Sequence, residues 1–209
     1  MIGATEALVR LREGNQRFAA NQTASSNAHT PARRAALLSS QEPFAIVLGC
    51  SDSRVPAELV FDQGLGDLFV IRVAGNIVAP SQIGSIEFAA ERFRTRLVVV
   101  MGHSQCGAVM ATLEEMLGRA TTESPNLRSI VNRVRPSLEA MVSARGHVAP
   151  EALMGEAVRA NVRAAANQVR HGSEILERLV STEGLLVVGA EYSLESGVVT
   201  FFDGVPDAG

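Results

Sequence analysis

From Phe44 onward, short apolar runs alternate with longer amphipathic stretches, and no apolar run exceeds about six residues. Runs such as Leu97 to Met101 and Leu185 to Gly189 are apolar at successive positions. That pattern marks strands buried on both faces, and the amphipathic stretches between them supply the crossovers that parallel strands need. The expected fold is α/β, a mainly parallel sheet flanked by helices. Strands are expected at Phe44–Leu48, Leu68–Val73, Leu97–Met101, Leu185–Ala190 and Val198–Phe202. The last two are separated by Ser193-Leu194-Glu195-Ser196-Gly197, short enough for a hairpin, so the sheet should end in an antiparallel edge strand near the C-terminus.

Helices are expected at Pro56–Asp62, Ser81–Phe93, Gly107–Leu117, Leu127–Val142 and Glu151–Val180, with Pro136 and Pro150 interrupting the region. Before the sheet, Thr5 can cap a helix carrying Leu8, Leu11 and Phe18, and Thr30-Pro31 opens a second. Asn21–Ala28, polar and small, reads as a loop or arm between them. With 209 residues the chain is expected to form a single domain, residues 1–209, with a helical arm over about the first 40.

Composition removes several classes of function. All 19 basic residues are arginine, which excludes Schiff-base chemistry and any phosphate loop that needs a lysine. They are scattered, and the net charge is -3, so nucleic acid is not an expected partner. No run is long enough to span a bilayer, and no basic segment leads into an apolar one at the N-terminus, so a cytoplasmic address without membrane association is expected. Gly64-Leu65-Gly66 precedes a strand and lacks the third glycine of a dinucleotide fingerprint, so it reads as a turn. His29, His147 and His171 read as surface residues.

The chemistry concentrates at two strand ends. The first strand runs into Gly49-Cys50-Ser51-Asp52-Ser53-Arg54 and the third into Gly102-His103-Ser104-Gln105-Cys106-Gly107. Carboxyl ends of parallel strands are where open α/β sheets collect ligands, so the segments can converge. Two thiolates, an imidazole and a carboxylate form a borderline-soft set suited to tetrahedral Zn²⁺. A lone strand-end cysteine is commonly an apolar filler, but two, each within a polar cluster, point to a metal. A purely structural zinc would normally use four Cys or His ligands, and Asp52 departs from that. With two thiolates already on the metal, a carboxylate gains less from it, and Arg54 offers a planar fork for the same group. Asp52 therefore has two competing partners, and its departure to Arg54 would open the fourth position to water. Without Cys50 beside it, the Asp52–Arg54 pair would read as an ordinary local ion pair.

Cys50-Ser51-Asp52-Ser53-Arg54 followed by His103-Ser104-Gln105-Cys106-Gly107 resembles the β-class carbonic anhydrases, which carry CxDxR and HxxC in this order. The resemblance extends to Phe69-Val70-Ile71-Arg72-Val73-Ala74-Gly75-Asn76 and Gly84-Ser85-Ile86-Glu87-Phe88-Ala89, and covers the chain from Asn15-Gln16-Arg17-Phe18 onward. It implies one zinc per chain, held by Cys50, His103 and Cys106, with Asp52 as the exchangeable ligand and Asp52 and Arg54 as the catalytic gating pair. It further implies an apolar substrate site using Phe69, Ala74, Phe88 and Gly107, and a Gln41 that reaches substrate across a dimer interface. The implied activity is reversible hydration of CO₂ to bicarbonate and a proton, by a homodimer or a dimer of dimers. Some bacterial members bind regulatory bicarbonate through a tryptophan, an arginine and a tyrosine. Arg72 and Tyr192 match the latter two, but Val47 occupies the tryptophan position, so that site is not expected. The rival functions are hydrolysis of carbon disulfide or carbonyl sulfide on the same scaffold, a catalytically silent zinc module, and a thiol redox role for Cys50 and Cys106.

Overall fold

A computed structural model describes residues 2–23, 30–145 and 147–206. Its sheet contains β1 (Ala45–Gly49), β2 (Leu68–Arg72), β3 (Leu97–His103), β4 (Leu186–Tyr192) and β5 (Val199–Asp203), in the order β2-β1-β3-β4-β5. The first four strands are parallel and β5 is antiparallel to β4, as the hairpin-length Ser193–Gly197 connection requires. β1 lies between β2 and β3, so the chain steps one way from β1 to β2 and then back past β1 to β3. That reversal opens a crevice at the carboxyl ends of β1 and β3.

Strand alternation divides the core between two faces. Val47, Val99, Met101, Val188 and Ala190 pack with Leu8 and Leu11 of α1 (Ala4–Ala19) and Val60 of α3 (Ala57–Val60). Ile46, Leu48, Val98, Val100 and Val187 face α4 (Pro80–Arg92), α7 (Pro150–His171) and α8 (Glu174–Thr182). A third apolar cluster joins α5 (Gly107–Met116), α6 (Pro125–Arg145) and α7, and it reaches Cys50 and Cys106. The site thus sits where the sheet's crevice meets this helical layer.

Several local expectations are corrected. Thr5 does not cap α1: the helix begins two residues earlier, with Gly3 at the cap and the Gly3 carbonyl accepting the Ala7 N–H. Thr30 does cap α2 (Pro31–Ala36), its hydroxyl accepting from the Arg33 N–H. Pro136 does not interrupt α6; it lies on the exposed side, where the Asn132 carbonyl it leaves unpaired in the helix is also at the surface. Glu151–Val180 is two helices, because Gly172 ends α7 and the Ser173 hydroxyl caps α8 by accepting the Leu176 N–H. Gly64–Gly66 is part of a turn, and His147 and His171 are exposed. His29 and most of the expected Asn21–Ala28 loop lie outside the described residues. Among the described residues, no helix is long and apolar enough to cross a membrane.

Candidate metal centre

Cys50 follows the last residue of β1, His103 ends β3, and Cys106 occupies the cap position of α5. Between the latter two, Gln105 adopts a left-handed backbone with φ 56°, which turns the chain so that His103 and Cys106 face the same point. The imidazole nitrogen and the two sulfurs lie within 4.8 Å of one another, and all three residues are buried. Both cysteines are free thiols.

The hydrogen bonding of His103 fixes what the site can accept. Its Nδ1 lies 2.9 Å from the Ser104 carbonyl oxygen. A carbonyl can only accept, so in the neutral ring Nδ1 carries the proton and Nε2 presents a lone pair. Nε2 is buried and, among the described residues, has no hydrogen-bond partner. A buried acceptor left unpaired beside two thiols is costly unless a cation completes it. The donor set, two sulfurs and one imidazole, fits Zn²⁺ with a fourth position left open.

Charge is distributed accordingly. The neighbouring Cys106 side chain lowers the Cys50 thiol's pKa, and His103 and the Gly75 N–H add to this against the opposing effect of burial. The same contact, with burial, pushes Cys106 upward. Burial opposes protonation of His103, yet the adjoining Cys50 sulfur and the Ser104 carbonyl leave it net raised. An electron-rich pocket of this kind attracts a divalent cation.

Asp52 lies beside the three donors but is held elsewhere. Its Oδ1 accepts from the Arg54 backbone N–H and from Arg54 Nε, both at 2.9 Å, and its Oδ2 accepts from an Arg54 terminal nitrogen at 2.8 Å. These bonds hold the Asp52 carboxyl well below the usual carboxylate range. Oδ2 is still only 3.8 Å from His103 Nε2, so a small side-chain movement separates the arginine-bound arrangement from one facing the three donors. Arg54 and Gln105 border an open cavity of about 660 Å³ together with Tyr192, Leu194 and Glu195.

Residues 45–199 match the profile of the carbonic anhydrase family. Over 199 residues, covering 95% of this chain and 93% of its relative, the sequence is 38% identical to a carbonic anhydrase of Mycolicibacterium smegmatis. It is 34% identical, over the same shares, to carbonic anhydrase 2 of Mycobacterium tuberculosis. The solved structure of the β-carbonic anhydrase CcaA superposes with a TM-score of 0.76 at 27% identity, covering 96% of this chain and 89% of that one. The chain belongs to the β-class carbonic anhydrase family. The fold is shared further with a β-carbonic anhydrase of Aspergillus fumigatus, TM-score 0.75 at 24% identity, covering 96% of this chain and 91% of the other.

Against that family pattern, the implied substrate residues separate into two groups. Ala74 adjoins Gly75, whose N–H reaches the Cys50 sulfur, and Gly107 adjoins Cys106, so both flank the three donors. Phe69 pairs in register with Ile46, four residues before Cys50, which puts it about 13 Å along the strand from that ligand. It packs instead with Phe88 and Phe93, ring centroids 6.2 and 6.1 Å away. Gln41 lines a surface cavity with Phe93 and Arg92. Gln41, Phe69 and Phe88 therefore form one outer face beside edge strand β2, and within one chain they do not reach the donors.

Two contacts were not legible in the sequence. Arg72, at the end of β2, donates from Nε to the Cys50 carbonyl at 3.0 Å and from a terminal nitrogen to the Asp52 carbonyl at 2.6 Å. It braces the loop that carries both residues. Gly75 N–H donates to Cys50 Sγ at 3.4 Å. Each joins segments that only the β1–β2 pairing brings together, and each depends on a backbone group, a carbonyl or an N–H, that no motif displays.

Proposed function

We propose that the chain is a zinc-dependent carbonic anhydrase that interconverts CO₂ and bicarbonate. The observation that carries this reading is the buried, unpartnered Nε2 of His103 facing two free thiols, with the nearest carboxylate drawn aside by Arg54. Cys50, His103 and Cys106 hold the metal. Zn²⁺ bound there supplies the Lewis acidity that lets water attack CO₂ near neutral pH.

The protein's own residues do the rest. Arg54 keeps the Asp52 carboxylate off the fourth position, and release of that grip would let Asp52 close it as a metal ligand. Arg72 fixes the backbone on both sides of Ser51, so opening and closing is confined to the Asp52 side chain. Ala74 and Gly107, both small, leave room beside the donors for a linear apolar substrate. Gln41, Phe69 and Phe88 complete the substrate site from a second copy of the chain. This is supported by their shared outer face, by the unpaired edge of β2, and by the exposure of Phe88 at 55% and Leu38 at 87%. β-carbonic anhydrases of Sordaria macrospora, which share the fold, are tetrameric. A homodimer or a dimer of dimers is the working assembly, with residues 1–209 acting as one domain. The cytoplasm, which keeps thiols reduced, suits the two ligand cysteines.

Zinc analysis of the purified protein together with stopped-flow CO₂ hydration tests the reading. One zinc per chain and rapid hydration are expected. Bound zinc with turnover only of carbon disulfide or carbonyl sulfide would replace the substrate; bound zinc without turnover of any of these would make the chain a silent metal module.

A further inference from the structure

The hydrogen bond from Gly75 to the Cys50 sulfur comes from an unusual piece of backbone. Gly75 has φ 70° and Asn76 has φ 42°, two successive residues in the left-handed region. Asparagine enters that region more readily than most residues, but a consecutive pair persists only where surrounding structure holds it. Gly75 has little room for a side chain, since a Cβ there would lie 3.0 Å from the Ala108 Cβ. Asn76 is 1% exposed and, among the described residues, its Nδ2 has no hydrogen-bond partner, so its own amide donor does not secure the turn.

The tether comes from the other side of the molecule. Asn161, 3% exposed in the middle of α7, donates from Nδ2 to the Gly75 carbonyl at 2.8 Å. Its helix is closely seated: a Cβ at Gly102 would stand 2.6 Å from Val162 Cγ2 and 3.1 Å from Val158 Cγ1. Gly102 directly precedes His103. The Asn161 amide is therefore fixed relative to the strand that carries one donor, while it grips the turn that hydrogen-bonds another.

We infer that Asn161 is a positioning residue of the metal centre: by holding the Gly75 carbonyl it keeps the Gly75 N–H on the Cys50 sulfur and so sets how strongly that sulfur donates to the metal. The inference rests on the reading of Cys50 as a zinc ligand. An N–H directed at a thiolate draws charge from the sulfur, and the metal it binds stays more acidic. Outer hydrogen bonds of this kind typically change metal affinity or activity by about 10–100-fold. A role confined to satisfying a buried carbonyl would leave the sulfur unaffected.

The test uses the full-length protein loaded with Co²⁺, whose sulfur-to-cobalt charge-transfer band reports the charge on the thiolates. Asn161→Leu keeps roughly the volume of the side chain, adds no charge and has no hydrogen to give. Its band is expected at longer wavelength than wild type, with zinc affinity by chelator competition altered by about 10–100-fold. Val169→Ala, which removes buried packing from the same helix two turns beyond Asn161, should leave the band in place. A folded, Co²⁺-bound Asn161→Leu protein with wild-type band and affinity overturns the inference, as does an equal shift in Val169→Ala. Should Asn161→Leu not fold, the wild type loaded with ¹¹³Cd²⁺ decides: a Gly75 amide proton protected from exchange and coupled to the metal is expected, and its absence overturns the inference. Failure of wild type to take up Co²⁺ would instead remove the metal-site reading on which it rests.

Discussion

Gly102→Ala offers the sharpest test of how the fold positions the metal donors. The added Cβ would meet Val162 Cγ2 at 2.6 Å and Val158 Cγ1 at 3.1 Å. The nearer contact is roughly 1 Å short of ordinary van der Waals separation. Val162 and Val158 are 0% and 1% exposed, so neither can swing into solvent, and α7 must lift or β3 must bow. Overpacking of this kind costs about 1–3 kcal/mol. For a chain of this length each kcal/mol lowers the melting temperature by ~2–4 °C, giving an expected fall of about 2–12 °C at fixed protein and zinc concentration. Because His103 is the next residue, the same displacement moves Nε2 away from the sulfurs, and zinc retention on dialysis against a chelator should fall with stability. Val162→Ala alone removes two buried methyl groups and should cost roughly 2 kcal/mol. In the double variant the new methyl occupies part of the space vacated, so the combined loss should fall short of the sum by about 1 kcal/mol or more. Thermal unfolding of the four proteins, with zinc content for each, measures this. A wild-type melting temperature for Gly102→Ala, or strictly additive losses in the double variant, would refute the close seating of α7 on β3.

The remaining predictions concern the site. Cys106→Ser should lose both zinc and CO₂ hydration, by metal analysis and stopped flow, because a hydroxyl is a poor substitute for a soft thiolate. Arg54→Ala frees Asp52 to face the three donors; zinc should stay bound while hydration collapses at every pH tested, and wild-type activity there would end the gating account. The Asp52 carboxyl is held below its ordinary value of 3.8. The stabilisation from its partner is thus complete above that value and lost only as pH falls through the lower folded one, so a pH–activity profile recorded above pH 5 should show no inflection from Asp52 protonation. Dilution to monomer should abolish most activity if Gln41, Phe69 and Phe88 serve a neighbouring copy; analytical ultracentrifugation matched to assay concentration checks it.

The fold class was legible because burial on both faces leaves a direct mark. A strand between two helical layers must be apolar at successive positions, and Val98, Val99 and Val100 are fully buried as that pattern demands. The hairpin before β5 was legible from its length alone. Helix boundaries were less so. Gly3 carries no capping side chain to advertise the start of α1, and Pro136 is tolerated because its position on α6 faces outward, a property that depends on how the helix is seated. The Gly172-Ser173 break did carry local signals, a glycine followed by a capping hydroxyl, which the continuous apolar periodicity on either side obscured.

The sequence by itself determined the metal donors, their order and their chemistry: two cysteines in a chain of scattered arginines, each in a polar cluster at a strand end, leave few other uses for a thiol. It also determined that Asp52 and Arg54 could pair, since two residues of separation allow a bidentate contact without help from the rest of the fold. Only the tertiary structure decided that Asp52 rests on Arg54, that Arg72 braces the loop through two carbonyls, and that Asn161 reaches the Gly75 turn. The reason is physical. Motifs register side chains close in sequence, whereas these contacts depend on backbone carbonyls, a backbone N–H and left-handed turns brought together by sheet register and helix seating. The same holds for Gln41, Phe69 and Phe88, whose types suit a substrate site but whose positions on the β2 edge set them apart from the donors of their own chain.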